Sequence, residues 1–214
     1  MNAIIKNTFS AATILGIFSL LGLGLTSFTF HKTETKIQEN ERLALLTNLK
    51  AVIPESLYDN DIVNDTLEVT DLNQDSTKPA VIYRARKKGE PVAAIMTVVT
   101  PFGYSGNITL LVAVKTDGTL TGVRTIAHRE TPGLGDKIEI ERSDWISSFD
   151  GKSLDNPSDT QWAVKRDSGY FDQLTGATIT PRAVVGAVKN ALLYFKHNQA
   201  RIFSTTESTP EGGN

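Results

Sequence analysis

The chain has 214 residues, enough for one hydrophobic core and an additional segment but short for two full-sized domains. Its 22 Lys and Arg against 24 Asp and Glu leave a formal net charge of -2, and the basic residues are scattered rather than gathered into a stripe, so no nucleic-acid surface is expected. The lack of cysteine removes disulfides, thiolate nucleophiles and cysteine-held zinc or iron-sulfur centres, and His31, His128 and His197 lack metal-ligand spacing, so no metal site is expected and redox chemistry requires an organic cofactor.

From Asn7 to Phe30 no side chain is charged, and Phe9 to Phe30 is mostly Phe, Ile, Leu, Ala, Gly and Thr. A helix of that length, at about 1.5 Å per residue, crosses a hydrocarbon core of about 30 Å. Lys6 before the span favours a cytoplasmic N-terminus, against His31, Lys32 and Lys36 beyond it. A cleaved signal peptide ending near Gly22 and Gly24 is the alternative, although no A-x-A-like site follows. In both cases the remainder is exported.

Ile37, Leu43, Leu45, Leu46 and Leu49 form the irregular apolar face of a helix that Pro54 closes. Five runs rich in β-branched residues follow, and each predicts a strand: Leu67 to Leu72, Ala80 to Arg86, Val92 to Thr100, Ile108 to Lys115 and Leu120 to Ala127. Lys88-Gly89 and Asp117-Gly118 supply hairpin turns, which makes the middle an antiparallel meander. Between Asp136 and Trp162 the pattern is polar and broken by Gly151 and Pro157, consistent with a short helix and loops in which Trp145, Ile146 and Phe149 pack. Val184, Val185, Val188, Ala191, Leu192 and Phe195 then mark one face of a final helix, with Thr180 as its expected N-cap and Pro181 as its first residue. The tail from Ser204 to Asn214 has the composition of a disordered segment.

Directly before the last helix stands Asp172-Gln173-Leu174-Thr175-Gly176-Ala177-Thr178-Ile179-Thr180. A helix N-terminus offers unpaired N–H groups and the positive end of the dipole, so a phosphate held on Thr178 suits this position, and Gly176 and Ala177 leave the hydroxyl open. A turn of small residues that only caps a helix has the same composition, and the spacing alone does not separate the two readings.

Asp172, Thr175 to Thr178 and Thr180 resemble the flavinylation motif of the FMN-binding domain family. That family is shared by the G subunits of Rnf-type electron transport complexes and the C subunits of sodium-pumping NADH:quinone reductases. Upstream, Gly103-Tyr104-Ser105-Gly106 and His128-Arg129-Glu130-Thr131-Pro132-Gly133-Leu134-Gly135 are similar to the family's GYxG and ETPGLG segments, in the same order. The likeness runs from Phe9 to about Phe195.

The resemblance implies an α+β fold: one N-terminal transmembrane helix, then one exported FMN-binding domain with a mainly antiparallel sheet and packed helices. It divides the chain into a membrane anchor (1–30), a helical connector (31–60), the flavin domain (61–203) and a tail (204–214). It further implies that a flavin transferase, recognising Asp172 and Thr175 to Thr178, uses FAD to esterify FMN through its phosphate onto Thr178. Thr175, Gly176, Ala177, Glu130, Thr131, Gly133, Leu134 and Tyr104 are then the cofactor-binding residues, with Glu130 and Thr131 as polar lining. For Tyr104, packing under the sheet competes with flavin contact, and for Leu174 an ordinary apolar contact competes equally. His128 is expected to face water at a strand end, and Trp145 and Trp162 to serve the core.

A covalently held flavin beside a membrane suits an electron relay, with no catalytic acid or base required. The implied role is that of the G subunit of an Rnf-type complex, coupled to ion translocation, in the bacterial inner membrane with a cytoplasmic N-terminus and a periplasmic flavin domain. Its implied partners are the other subunits of the complex and, during maturation, the transferase. The C-subunit role, an exported flavoenzyme reducing a small acceptor, and a non-redox tethered structural protein are the alternatives.

Overall fold

A computed structural model describes residues 2–73 and 79–204. The chain separates into two compact units, Met1–Leu45 and Leu46–Asn214. Helix α1 spans Asn2–Val52. Within the first unit, Ala12–Phe30 is long and apolar enough to cross a membrane, and its described side chains are exposed.

The second unit holds the sheet. Strands β1 (Thr66–Val69), β2 (Ala80–Lys87), β3 (Glu90–Gly103), β4 (Gly106–Lys115) and β5 (Leu120–Ala127) pair antiparallel in sequence order, as the β-branched runs predict. The β2–β3 turn has positive φ at both Lys88 (55°) and Gly89 (85°), the backbone that matches the twist of a two-residue hairpin. At the β4–β5 turn the Asp117 carboxylate accepts from the Thr119 N–H at 2.8 Å and Gly118 has φ 85°. Between β3 and β4 the meander turns through a two-residue hairpin that no turn signal marks in the sequence: Gly103 pairs with Gly106, and Tyr104-Ser105 form the tip.

Beyond the start of β2, the next stretch of β3 is paired by a side chain. Asn73 donates to the Thr97 carbonyl at 3.3 Å and accepts from the Val99 N–H at 3.0 Å. This imitates a strand neighbour at an otherwise open edge.

Helix α2 (Ile179–Phe203) packs on one face of the sheet. Its expected apolar face, from Val184 to Phe195, is buried with Ile82, Met96, Val98, Leu110 and Val112. The same core takes in Phe149, Trp162 and Phe171, whose rings stack or tilt at centroid separations of 4.5 to 6.2 Å. The stretch between β5 and α2 contains four 3-10 turns, Gly135–Ile138, Asp144–Phe149, Asp159–Gln161 and Lys165–Asp167, in place of one short helix. Trp162 is a core residue, and Trp145 packs at the core's margin with its indole N–H donating to the Asp172 carbonyl at 2.6 Å.

The opposite face buries Ala93, Ile95, Leu111 and Ala113, and Val52, at the end of α1, lies against β5. The Thr121 hydroxyl donates to the Val52 carbonyl at 2.7 Å, and a Cβ on Gly122 would lie 2.9 Å from that same oxygen. At the far end of α2, Arg84 and Arg86 of β2 donate to the carbonyls of Ser204 and Phe203, which supplies acceptors at a helix C-terminus with cationic donors. The tail expected over 204–214 lies, apart from Ser204, outside the described residues.

Two expectations are corrected. Helix α2 begins at Ile179 with Thr178 in the N-cap position, so Thr180 is not the cap. Thr180 is inside the first turn and completely buried, its hydroxyl donating to the Glu130 carboxylate. His128 does not face water: its side chain is about nine-tenths buried, with Nε2 2.6 Å from Glu139 Oε1 and Nδ1 accepting from the Glu130 N–H at 3.0 Å. That acceptance assigns the ring proton to Nε2 in the neutral tautomer, which donates to Glu139.

Candidate functional site

Three loops meet at the start of α2 and enclose a cavity of about 430 Å³ lined by Tyr104, Glu130, Thr131, Leu134, Gly135 and Gly176 through Thr180. Each loop is fixed by a different device.

The turn that carries Thr178 is closed by the Ala177 N–H donating to the Leu174 carbonyl at 3.0 Å. Its third residue, Gly176, has φ 82°, the left-handed backbone that a turn of this kind reserves for glycine. A Cβ there would also lie 2.8 Å from Leu134 Cδ2, so the bare glycine lets Leu134 cover the turn. Leu174 is a buried core residue, which resolves its role in favour of packing. Thr178 is half-buried, and its hydroxyl makes no capping hydrogen bond to α2.

In the loop that follows β5, the Thr131 carbonyl accepts from the N–H groups of Leu134, Gly135 and Asp136 at 3.2, 3.0 and 3.4 Å. Pro132 and Gly133, with φ 78°, make that tight winding possible. The tip of the β3–β4 hairpin is held by Glu130, whose Oε1 accepts from the Ser105 N–H at 3.0 Å. Tyr104 therefore points outward and is 68% exposed at the cavity mouth rather than packed under the sheet.

Glu130 joins all three. It is 5% exposed, takes the Ser105 N–H on one oxygen and the Thr180 hydroxyl on the other, and sits where Cβ atoms on Gly103 or Gly135 would collide with it. Each carboxylate oxygen of Glu130 thus has its own donor, one from the β3–β4 hairpin and one from the first turn of α2.

Of the residues singled out in the sequence, Tyr104, Glu130, Thr131, Leu134, Gly176, Ala177 and Thr178 line the cavity together. Gly133, Thr175 and Asp172 do not. Thr175 is exposed beside the turn, and Asp172 is exposed with its carboxylate 2.5 Å from Lys165 Nζ. Gly135, Ile179 and Thr180 line the cavity without having been assigned to it. The motif positions of Gly135 and Thr180 carried that signal, but an N-cap assignment for Thr180 hid its inward direction. Nearby, Arg182 forms a two-pronged pair with Asp167, both contacts 2.6 Å, and this guanidinium holds the Asp167 carboxyl below its usual range.

Residues 103–193, which include every lining residue of this cavity, match the family model of the FMN-binding domain, and residues 1–52 match that of the RnfG N-terminal region. A relative from Shewanella baltica (strain OS223), named as the G subunit of an ion-translocating oxidoreductase complex, is 47% identical over 206 residues, covering 95% of this chain and 94% of the relative. The chain belongs to this G-subunit family. Further members under the same name, from Pseudoalteromonas atlantica and Pseudomonas aeruginosa (strain UCBPP-PA14), are each 46% identical, covering 90% and 92% of both partners respectively. The family's two parts coincide with the structure: the N-terminal match covers α1 to its last residue, and the FMN-binding match starts at the β3–β4 hairpin and ends within α2.

The residues present fit an FMN. The cavity volume lies in the range of small-molecule sites, its walls combine the Leu134, Ile179 and Tyr104 side chains with hydroxyl and carboxylate groups, and Thr178 stands at a helix N-terminus suited to phosphate.

Proposed function

We propose that this member of the G-subunit family holds FMN covalently, as a phosphoester on the Thr178 hydroxyl, and relays electrons for an ion-translocating membrane complex. The observation that carries this reading is the Thr178 hydroxyl itself. It occupies the N-cap position of a 25-residue helix, where a threonine ordinarily bonds the helix N–H groups, yet it makes no such bond and lines a cavity instead. With Pro181 lacking an N–H, the first-turn N–H groups of Ile179 and Thr180 are left to a phosphate.

When bound, FMN supplies the electron acceptance and release. The chain's own residues do the rest. The Leu174 to Ala177 turn sets the position of Thr178, Leu134 and Tyr104 would supply apolar contacts to the ring, and Glu130 and Thr131 form the polar wall of the cavity. Asp172 and Thr175, exposed beside the turn and outside the cavity, serve the flavin transferase that delivers FMN from FAD, because an enzyme acting on Thr178 must approach from the solvent side. Gly133 acts through the loop's conformation.

The apolar segment within residues 1–30 is proposed as a single-pass inner-membrane anchor with Lys6 on the cytoplasmic side, the flavin domain on the periplasmic side and the remaining subunits of the complex as neighbours. Flavin fluorescence in a denaturing gel tests the attachment, with wild type and Thr178→Ala each co-produced with an active flavin transferase. A fluorescent wild-type band that disappears in the variant is the expected result. A dark wild-type band, or a variant as bright as wild type, refutes attachment at Thr178.

A further inference from the structure

Glu130 has more to do than tie loops together. Its carboxylate is enclosed between Gly103 and Gly135, with its two donors being an uncharged N–H and an uncharged hydroxyl. Among the described residues, no Lys, Arg or His nitrogen stands within ion-pairing distance of it, whereas the domain's other highly buried carboxylate, Asp136, has Arg142 at 3.7 Å. A buried, ionised group without a counter-charge is costly, and a hydrophobic tie or a serine would hold three loops without that cost. Its uncompensated charge lies in the wall of the cavity that Thr178 also lines. Two of the three loops carry no charge of their own there: Pro101 to Asn107 and Gln173 to Pro181 contain none.

We infer that Glu130 is a potential-setting residue, a fixed negative charge that lowers the reduction potential of the flavin held in this cavity. The inference rests on the proposed FMN site. The couple is the addition of two electrons and one solvent proton to the oxidised flavin, at the expense of an external one- or two-electron donor, with a net gain of one negative charge on the ring. A like charge fixed in a wall shielded from water opposes that gain more than the same charge in solvent does. The Ser105 N–H and the Thr180 hydroxyl act as positioning groups, because they fix the carboxylate in the cavity wall.

The test is a spectroelectrochemical titration of the detergent-solubilised full chain, co-produced with a flavin transferase, in wild type, Glu130→Gln and Glu130→Asp. The glutamine carbonyl still accepts the Ser105 N–H and its amide still meets Thr180, so the ties persist without the charge. Aspartate keeps the charge and loosens the ties. The expected result is a Glu130→Gln midpoint raised by about tenfold in the equilibrium constant, about 30 mV for a two-electron couple, with Glu130→Asp close to wild type although less stable. Unchanged potentials in both variants, or equal shifts in both, reduce Glu130 to a structural tie and overturn the inference. In-gel fluorescence of the same samples separates the two levels of failure: a wild-type chain without covalent flavin removes the site reading, and a fluorescent chain with an unmoved potential removes only this one.

Discussion

Replacing Thr180 by valine removes one buried oxygen and almost no volume, which isolates the bond between α2 and Glu130. Thr180 is fully buried and Glu130 nearly so, and the carboxylate oxygen it serves has no second donor among the described residues. A hydrogen bond to a charged group contributes about 1.5–3 kcal/mol, and losing one partner in a dry site leaves the other unsatisfied. Helix propensities of Thr and Val are nearly equal, and an isosteric change opens no cavity, so neither term offsets the loss. The expected destabilisation is about 2 kcal/mol, equivalent to roughly 4–8 °C in Tm for a domain of this size. Urea unfolding of the detergent-solubilised chain reports it through tryptophan fluorescence, since Trp145 and Trp162 both belong to the core region of this unit. A Thr180→Val loss under about 0.5 kcal/mol would show that water reaches the carboxylate and refute its enclosure.

Two further outcomes follow from the packing. Gly122→Ala places a methyl 2.9 Å from the Val52 carbonyl oxygen and 3.0 Å from its Cα, both backbone atoms that cannot rotate away. The expected overpacking cost is about 1–3 kcal/mol, read from the urea midpoint and from faster amide exchange over Leu49 to Ile53. At the other end of α2, hydrogen bonds from Arg201 and then Tyr194 hold the Asp71 carboxyl down at about 2, below its value in an unfolded chain. A depressed folded-state pKa contributes stability above about pH 4 that is lost as pH falls toward 2, and Asp71→Asn should flatten the acid-side stability slope across that window. The effect is small, because the Arg201 and Asp71 side chains are 49% and 48% exposed.

The sheet was legible in the sequence because its strands alternate β-branched runs with Lys88-Gly89 and Asp117-Gly118, turns whose residues select one backbone geometry. The α2 face was equally legible, since six apolar positions recur at helical spacing. What escaped is tertiary. Tyr104-Ser105 carries no Asn-Gly or Asp-Gly signal, and that hairpin is fixed from outside by Glu130, 25 residues away in sequence. Thr180 satisfies every local rule for an N-cap, yet helix formation starts earlier, at Ile179, because the buried carboxylate of Glu130 provides a better partner for its hydroxyl than the helix N–H groups would. His128 was expected in water for lack of any sequence sign of Glu139, eleven residues on. In each case a pairing of polar side chain with distant loop overrode a sound local preference.

That pattern bears on how the site would combine the two opposed demands of the proposed function. A residue that is to be modified by another enzyme must be reachable, whereas a cofactor that exchanges electrons must keep its distance and orientation to its neighbours. The turn meets the first demand with small, exposed residues, Thr175 and Gly176, beside a half-buried Thr178. It meets the second through anchors placed on either side of that opening. Leu174 is sunk in the core, the Asp172 carbonyl is bonded by Trp145, and Thr180 is bonded to Glu130. The nine residues from Asp172 to Thr180 are therefore held at both ends and in the middle, and only the hydroxyl-bearing stretch between Leu174 and Thr180 stays open. Rigidity comes from flanking residues rather than from burying Thr178, which is why a bare threonine in a small-residue turn suffices as the attachment point in the proposed function.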